Sequence, residues 1–188
     1  MKTPTLRNTD LENRLIKQCL LGNAKAQKQI YTRYAGAMYN VAARIVGDRI
    51  EAEDVVQDVF IKVFQQLKQF KGQSTLGAWI KRITVNTALN NLRKHKLLVY
   101  SDEMEDQAEE IIESRTTRFS VNEIHHAIKK LPEGSRLVVS LHLIEGYQHQ
   151  EVASILGISV STSKSQYHRG KKLLRLGLEK AKCSAKLI

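Results

Sequence analysis

Residues 147–173, YQHQEVASILGISVSTSKSQYHRGKKL, carry the side chains best suited to recognise DNA. Their pattern predicts two short helices joined by a turn at Gly157, because glycine accepts the positive φ that ends many helices. Ser159 or Ser161 can cap the second helix. That helix combines small hydroxyls with groups that contact base edges and phosphates in a major groove. These groups are Lys164, His168, Arg169, Lys171 and Lys172.

Apolar residues define the opposite face of each of these two helices. They are Val152, Ala153, Ile155 and Leu156 in the first helix, and Tyr167, Leu173 and Leu174 in the second. One apolar face and one cationic face indicate a helix-turn-helix supported by a small bundle. A solvated helical hairpin is the alternative interpretation.

Residues 51–70 combine an apolar stripe with an acidic face. The stripe has helical spacing and comprises Ala52, Val55, Val56, Val59, Phe60, Val63, Phe64, Leu67 and Phe70. The opposite face carries Glu53, Asp54, Gln57 and Asp58, with the two aspartates one turn apart. Three interpretations are open for these acids: docking on a basic element of a protein partner, chelation of a divalent cation, or a hydrated face near a helix N-terminus.

Residues 70–96 form a polar loop followed by a basic helix. The loop contains Gly72, Gln73, Ser74 and Thr75, and together with Phe70 and Trp79 it can form a pocket for a base taken out of the stack. The cations placed to meet phosphates are Lys81, Arg82, Arg93, Lys94 and Lys96, and Trp79, Ile83 and Leu92 are expected to anchor the helix. Asn86 and Asn90 are candidates for reading a base edge, with structural roles as the alternative.

The chain is predicted to be all-α, with two small helical domains joined by an acidic flexible linker. It has ten glycines, two prolines and no sustained period-two alternation. Breaks near Gly22, Gly47 and residues 71–74 divide a first domain, residues 1–96, into four helices. The linker, residues 97–120, contains SDEMEDQAEEIIE, which lacks a base and a hydrophobic face. Residues 121–188 form the second domain, in which Pro132 is expected in the first turn of a helix.

Composition limits the partners of the chain. The net charge of +11 and the pI near 9.7 favour a polyanion, with nucleic acid preferred over a membrane surface. The N-terminus lacks a signal-peptide core and no apolar run reaches the roughly 20 residues that span a bilayer, so we expect a cytoplasmic protein without membrane insertion. Cys19 and Cys183 are expected to be unpaired thiols, and no metal site or cofactor is predicted.

Four motifs, in this order, resemble those of bacterial RNA polymerase sigma factors of the extracytoplasmic-function group. They are AEDVVQDVF, FKGQSTLGAWIKRITVNTALN, LPEGSRLVV and EGYQHQEVASILGISVSTSKSQYHRGKK. This group keeps only the second and fourth conserved regions of larger sigma factors, and the similarity covers nearly the whole chain except the N-terminal arm and the linker. The resemblance implies a non-enzymatic subunit that binds core RNA polymerase, directs it to promoters and promotes DNA melting.

The resemblance also implies roles for individual residues. The face with Asp54, Gln57 and Asp58 docks on the beta-prime clamp helices, and the second domain meets the beta flap. The minus-ten element is contacted by Phe70, Gly72, Gln73, Ser74, Thr75, Trp79, Lys81, Arg82, Asn86, Asn90 and Arg93. The minus-thirty-five element is contacted by Thr162, Lys164, Ser165, Gln166, His168, Arg169, Lys171 and Lys172. An anti-sigma factor is a possible partner.

The recognition helix departs from the family pattern at three positions. Ser161 stands in place of a glycine, Ser163 in place of an apolar residue and Gln166 in place of a basic one. If Gln166 faces DNA, its lost cation removes about one phosphate contact, and Gln166→Arg should steepen the salt dependence of binding by about one unit.

Two other functions compete with the sigma factor. A stand-alone helix-turn-helix regulator needs a dimer face or a sensory domain, and neither is apparent in the sequence. A metal-dependent nuclease using Asp54 and Asp58 lacks a third acid and a lysine in an obvious motif.

Residues 101–113 are expected either to mimic nucleic acid in the channels of the polymerase or to act as a plain spacer.

Overall fold

A computed structural model describes residues 6–97 and 119–185, all of whose regular elements are helices. The chain divides into two compact units, Met1–Leu92 and Arg93–Ile188. The acidic segment of residues 101–113 and the side chain of Cys183 lie outside the described residues. None of the described helices has a stretch long and apolar enough to cross a membrane.

The first unit is built from four α-helices, as the sequence breaks predict, and the fourth continues past the unit boundary at Leu92. They are α1 (Leu6–Leu20), α2 (Ala24–Val46), α3 (Arg49–Gln66) and α4 (Leu76–Leu97), with a 3-10 turn at Leu67–Gln69. The Asn23 side chain accepts hydrogen bonds from the backbone N–H groups of the first turn of α2, and Asp48 does the same for α3. Gly47 ends α2 with a φ of 83°, which glycine adopts without steric cost. These caps fix the helix boundaries.

Apolar side chains from all four helices of the first unit form its core. The largest fully buried ones are Ile30, Ile45, Val55, Val59, Val63, Leu67, Leu76, Ile80 and Val85. Most of the predicted stripe of α3 is therefore confirmed, although Phe64 and Phe70 are only half-buried. Trp79, Ile83 and Leu92, which were expected to anchor α4, are half-buried. The fully buried face of α4 was not predicted and contains Leu76, Ile80, Val85, Ala88 and Leu89.

The second unit packs three helical elements around the helix-turn-helix. It contains α5 (Val121–Lys129), α6 (Glu133–Val139), a π-helical segment (Ser140–Ile144) that continues α6, α7 (His149–Leu156) and α8 (Val160–Ala185). A capping box between Ser120 and Glu123 starts α5. Pro132 is the N-cap of α6, one residue before the first turn where it was expected. One core cluster joins α5, α6 and α8 through Ala127, Ile128, Leu131, Val139, Leu174 and Leu178.

The crossing of α8 over α6 is unusually close at Gly170. A Cβ atom on this residue would lie 2.6 Å from Val139 Cγ2, 3.1 Å from Ser135 Cβ and 3.2 Å from the Ser135 carbonyl oxygen. The first distance is far below van der Waals contact, the other two are tighter than ordinary contacts, and the last involves backbone that cannot rotate away. Glycine at position 170 therefore sets the distance between α6 and α8.

We expect Gly170→Ala to lower the free energy of unfolding of the second unit by about 1–3 kcal/mol, because the added methyl group overpacks the crossing. Gly177→Ala is the matched control on the same helix. Its Cβ would meet nothing closer than Ala127 Cβ at 3.9 Å, so alanine should stabilise α8 by about 0.5–1 kcal/mol. Urea unfolding of the full chain, followed by circular dichroism, measures both effects. Equal stabilities for the two variants would contradict the close crossing.

Candidate nucleic-acid interface

The loop before α4 places two aromatic rings beside exposed polar residues. The ring centroids of Phe70 and Trp79 are 5.4 Å apart with planes inclined by 53°. Gly72, Gln73 and Ser74 are exposed, and Gly72 turns the loop with a φ of 70°. The Thr75 hydroxyl accepts a hydrogen bond from the Ala78 N–H at 3.2 Å and so caps α4. The loop therefore offers stacking surface and small polar groups together, while Thr75 also has a structural role.

One face of α4 continues this surface. Arg82, Asn86, Asn90 and Arg93 are exposed and follow Trp79 at intervals of three or four residues. Lys81 lies beside this row, is half-buried and takes part in a polar interaction. Two amide groups, which donate and accept hydrogen bonds, lie here between two guanidinium groups, a type of group that pairs with phosphates. This arrangement suits single-stranded nucleic acid, whose bases stack and whose backbone is anionic.

The acidic face of α3 is exposed, as predicted, and is flanked by apolar residues. Asp54, Gln57 and Asp58 are exposed, and Ile50 and Ile61 on the same face are 73% and 56% exposed. Sequence reasoning missed these two isoleucines. The signal was their helical spacing, since Ile50 lies four residues before Asp54 and Ile61 lies three residues after Asp58. Among the described residues, no group of three or more His, Cys, Asp or Glu side chains is placed to hold a metal ion. Acids framed by exposed isoleucines favour a protein partner over a cation.

The helix-turn-helix has the predicted turn. Gly157 ends α7 in the left-handed region with a φ of 72°. Ser159, and not Ser161, caps α8, because its hydroxyl accepts the Thr162 N–H at 3.0 Å. The Thr162 hydroxyl lies 2.8 Å from the same Ser159 oxygen, and Ser161 lies 2.7 Å from it. A network of three hydroxyls therefore defines the first turn of α8.

The exposed face of α8 brings together most of the predicted DNA-contacting residues. Lys164, Ser165, His168, Lys171 and Lys172 are exposed at helical spacing and share one face. The Ser165 hydroxyl donates to the Thr162 carbonyl oxygen at 3.0 Å, which leaves its lone pairs toward the exposed side. Arg169 is half-buried and has an interaction partner. The face combines cations with donors and acceptors, as a helix in a major groove does.

Gln166 does not belong to this face, which corrects the sequence-based prediction. Its side chain is half-buried, and its amide oxygen accepts a hydrogen bond from the Ser135 hydroxyl at 2.7 Å. Gly134 lies beside the same amide, since a Cβ there would be 3.4 Å from Gln166 Cδ. Gln166 therefore points at α6, and its lack of charge is explained by packing within the unit. The expected change in salt dependence on Gln166→Arg loses its basis.

A cluster of rings between the π-helical segment, α7 and α8 was missed by sequence reasoning. The imidazoles of His142 and His149 stack with centroids 3.9 Å apart, and Tyr167 meets both of them edge-on. His142 Nδ1 donates to the Tyr147 carbonyl oxygen at 2.7 Å, and His149 Nδ1 lies 2.9 Å from the hydroxyl of fully buried Ser163. The seven-residue spacing of the histidines gives no metal-ligand signal, so only the fold reveals the contact.

The cluster disfavours protonation of His149. Its pKa is lowered from the ordinary histidine value, first by loss of hydration and then by the positive charges of His142, Lys164 and His168. His149 is therefore expected to remain a neutral ring at physiological pH, next to a helix that carries several cations.

Two family models match the chain. The model described as Sigma-70 region 2 matches residues 30–97, and that described as Sigma-70, region 4 matches residues 122–174. The chain is 30% identical to ECF RNA polymerase sigma factor SigW of Bacillus subtilis over 175 residues, or 85% of this chain and 92% of that protein. It is 29% identical to RNA polymerase sigma-H factor of Pseudomonas aeruginosa over 181 residues, or 89% and 94% of the two chains.

Two solved structures are also similar to the chain. One is the sigma factor RpoE in complex with the anti-sigma factor NepR from Bartonella quintana, with a TM-score of 0.56, 25% identity and coverage of 81% of this chain and 96% of that one. The other is CnrH in complex with the cytosolic domain of CnrY, with a TM-score of 0.50, 27% identity and coverage of 88% and 95%.

Acid should destabilise the second unit through His149. Because the pKa of His149 is lower in the folded chain than the value of about 6.5 in the unfolded chain, the unfolded state binds the proton more readily. His149 therefore adds no pH dependence to the free energy of unfolding well above about pH 6.5. As the pH drops below about 6.5, that free energy falls. Titration of the His149 ring signals by NMR in the full chain measures the pKa. Protection of the α8 amides from hydrogen exchange, followed against pH, measures the stability of the second unit.

His149→Gln is the control for this pH dependence, because it keeps a polar side chain and removes the titration. It should retain more of its α8 protection on acidification than the parent chain. A His149 pKa at or above the ordinary value would contradict the prediction.

Proposed function

We propose that different surfaces of the chain contact RNA polymerase and DNA, because the chain belongs to the sigma-70 family of RNA polymerase sigma factors, in its extracytoplasmic-function group. The chain is a sigma factor that directs RNA polymerase in transcription initiation. We assign residues 1–96 to polymerase docking and minus-ten recognition, residues 97–120 to a linker, and residues 121–188 to minus-thirty-five recognition. The chain acts by binding and without catalysis, and it works in the cytoplasm where the polymerase is.

The stand-alone regulator is not favoured. The alignment with SigW spans 92% of that protein and includes both units of this chain, so the similarity is not confined to a helix-turn-helix. A regulator that only binds duplex DNA also has no use for the acidic and apolar face of α3.

The face of α3 is the proposed docking surface for core polymerase. Asp54, Gln57 and Asp58 offer carboxylates and an amide to a basic element, and Ile50 and Ile61 add apolar area at the edges. The beta-prime clamp helices are the partner proposed for this face, with the beta flap meeting the second unit. Carboxylates steer association with a basic element and the isoleucines slow dissociation, because apolar area leaves water on binding. The exposed acidic and apolar row on α3 is the observation that carries this assignment.

Asp54→Ala/Asp58→Ala should weaken binding to core RNA polymerase by at least about tenfold, because two charge pairs across the interface are lost. Asp10→Lys changes the net charge by the same two units at an exposed position of α1 and is the matched control. Fluorescence titration of labelled full-length chain with core polymerase measures both affinities. Equal weakening by Asp54→Ala/Asp58→Ala and by Asp10→Lys would show a general charge effect and would remove α3 as the docking surface.

The loop and α4 are proposed to capture the minus-ten element as a melted strand. Phe70 and Trp79 supply stacking surface, and the row of Arg82, Asn86, Asn90 and Arg93 follows the strand. Gly72, Gln73, Ser74, Thr75 and Lys81 complete the set of proposed contacts. Stacking a flipped base contributes about 1–3 kcal/mol, which offsets part of the energy of opening the duplex. Melting is thus driven by capture of the open strand.

Asn86→Ala should reduce the equilibrium amount of open complex by about tenfold, since a buried hydrogen bond to a flipped base is lost. Asn40→Ala is the control, because Asn40 is also an exposed asparagine, on α2. Permanganate reactivity of thymines in a promoter bound by the holoenzyme measures melting. Unchanged reactivity with Asn86→Ala would assign this asparagine a structural role.

The exposed face of α8 is proposed to read the minus-thirty-five element in the major groove. Thr162, Lys164, Ser165, His168 and Arg169 lie in its first three turns, and Lys171 and Lys172 follow for phosphates. Each unit presents a small surface, so tight promoter binding requires both units to be tethered on the polymerase.

An anti-sigma factor that covers these surfaces is also proposed, because both similar solved structures pair the matching chain with a second protein.

A further inference from the structure

His149 contacts the recognition helix at two points one turn apart. It is the first residue of α7, and its Nδ1 lies 2.9 Å from the hydroxyl of Ser163 in the first turn of α8. Its ring centroid lies 5.6 Å from that of Tyr167, four residues further along α8, with planes inclined by 70°. Two contacts separated along a helix resist both rotation about its axis and sliding along it.

The Ser163 hydroxyl makes this contact directional. Ser163 is 0% exposed, so water cannot replace His149 as its partner. An apolar side chain at position 163 would pack in many orientations, whereas a hydrogen bond requires a defined distance and angle. The first turn of α8 is thereby held in one orientation relative to α7.

His142 fixes the orientation of the His149 ring. Its own ring is held by donation from Nδ1 to the Tyr147 carbonyl oxygen at 2.7 Å, and it stacks on His149 at an interplanar angle of 21°. A stacked imidazole cannot tilt its ring plane without losing the stacking contact. The chain of contacts therefore runs from the Tyr147 backbone through His142 and His149 to Ser163.

Each of the two contact points is next to a residue of the proposed DNA-facing side of α8. Lys164 is next to Ser163, and His168 is next to Tyr167, and both are exposed. Because neighbouring residues on a helix are separated by a fixed angle, rotating α8 at Ser163 or Tyr167 moves Lys164 and His168 by the same angle. A bidentate contact with a base edge tolerates little such rotation.

We propose that His149 is a positioning residue for promoter recognition, which acts through Ser163 and Tyr167 to set the rotation of α8 in the major groove. His149 itself need not touch DNA. The inference rests on the proposed function of α8 and deepens it, since it assigns sequence selectivity to a residue on the supporting helix. Non-specific affinity depends on the cations of α8 and does not require this residue.

The test uses holoenzyme assembled from core RNA polymerase and the full chain. The probe is an upstream-element duplex selected by the parent holoenzyme from a randomised pool, and its scrambled form is the reference. The measured quantity is selectivity, the ratio of the two dissociation constants. His149→Ala should lower selectivity by about tenfold, comparable to one mismatched base pair, and should leave the affinity for the scrambled duplex unchanged.

Three further variants separate positioning from a general loss of structure. His149→Gln keeps a group that can hydrogen bond to Ser163 and should retain most of the selectivity. Ser163→Ala should lower selectivity, and combining it with His149→Ala should add little, because the two residues act as one unit. Gln150→Ala changes the exposed neighbour of His149 and should have no effect. If the α8 amides of His149→Ala lose their protection from hydrogen exchange, that variant has lost structure. The selectivities of Ser163→Ala and His149→Gln then decide whether His149 positions α8.

Selectivity unchanged in His149→Ala, equal losses in the alanine and glutamine variants, or an equal loss of affinity for both duplexes would each overturn the inference. A parent holoenzyme that selects no upstream element from the pool would instead refute the proposed function of α8. Binding of each variant to core polymerase, measured in parallel, shows that the holoenzyme has formed.

Discussion

The contact between α6 and α8 at Gly170 is the constraint on which the second unit depends. Gln166, Gly170 and Leu174 lie on the inward side of α8, where Ser135 and Val139 approach them. With this side committed to α6, the opposite side, which carries Lys164 and His168, stays exposed, and it is the side proposed to enter a DNA groove. Close packing therefore determines which side chains of α8 are exposed, before any of them meets a ligand.

The first unit carries exposed surfaces of opposite charge on α3 and α4. The acids of α3 suit a basic protein element, and the cations and amides of α4 suit an anionic strand. Both helices bury their apolar side chains in the same core, so each surface is held by the packing that also supports the other. The Lys62 ammonium on α3, which donates to the Thr87 hydroxyl of α4 at 3.2 Å, links the two helices directly. The surfaces proposed for docking and for strand capture therefore share one supporting core.

Much of the fold and of the candidate site could be predicted from the sequence, because local signals determine them. Helical spacing gave the buried stripe of α3, and Gly157 with its positive φ marked the turn before α8. Contacts between distant residues were not predictable. The rotation of Gln166 toward Ser135, the pairing of His149 with Ser163 and the half-burial of Trp79 depend on how helices cross. Helical spacing identifies faces, and only tertiary packing decides which partner each face meets.

The division of the chain after Leu92 has a consequence for its synthesis. The first unit consists of helices joined by short turns, and its contacts are mostly local, which favours fast folding. A domain that is complete in sequence folds while the remainder is still being translated. A nascent or prematurely terminated chain would thus display the proposed polymerase-docking face without its second unit. On the proposed assignment such a fragment would compete with the intact protein for polymerase, and only the full-length chain carries the surfaces proposed for both promoter elements.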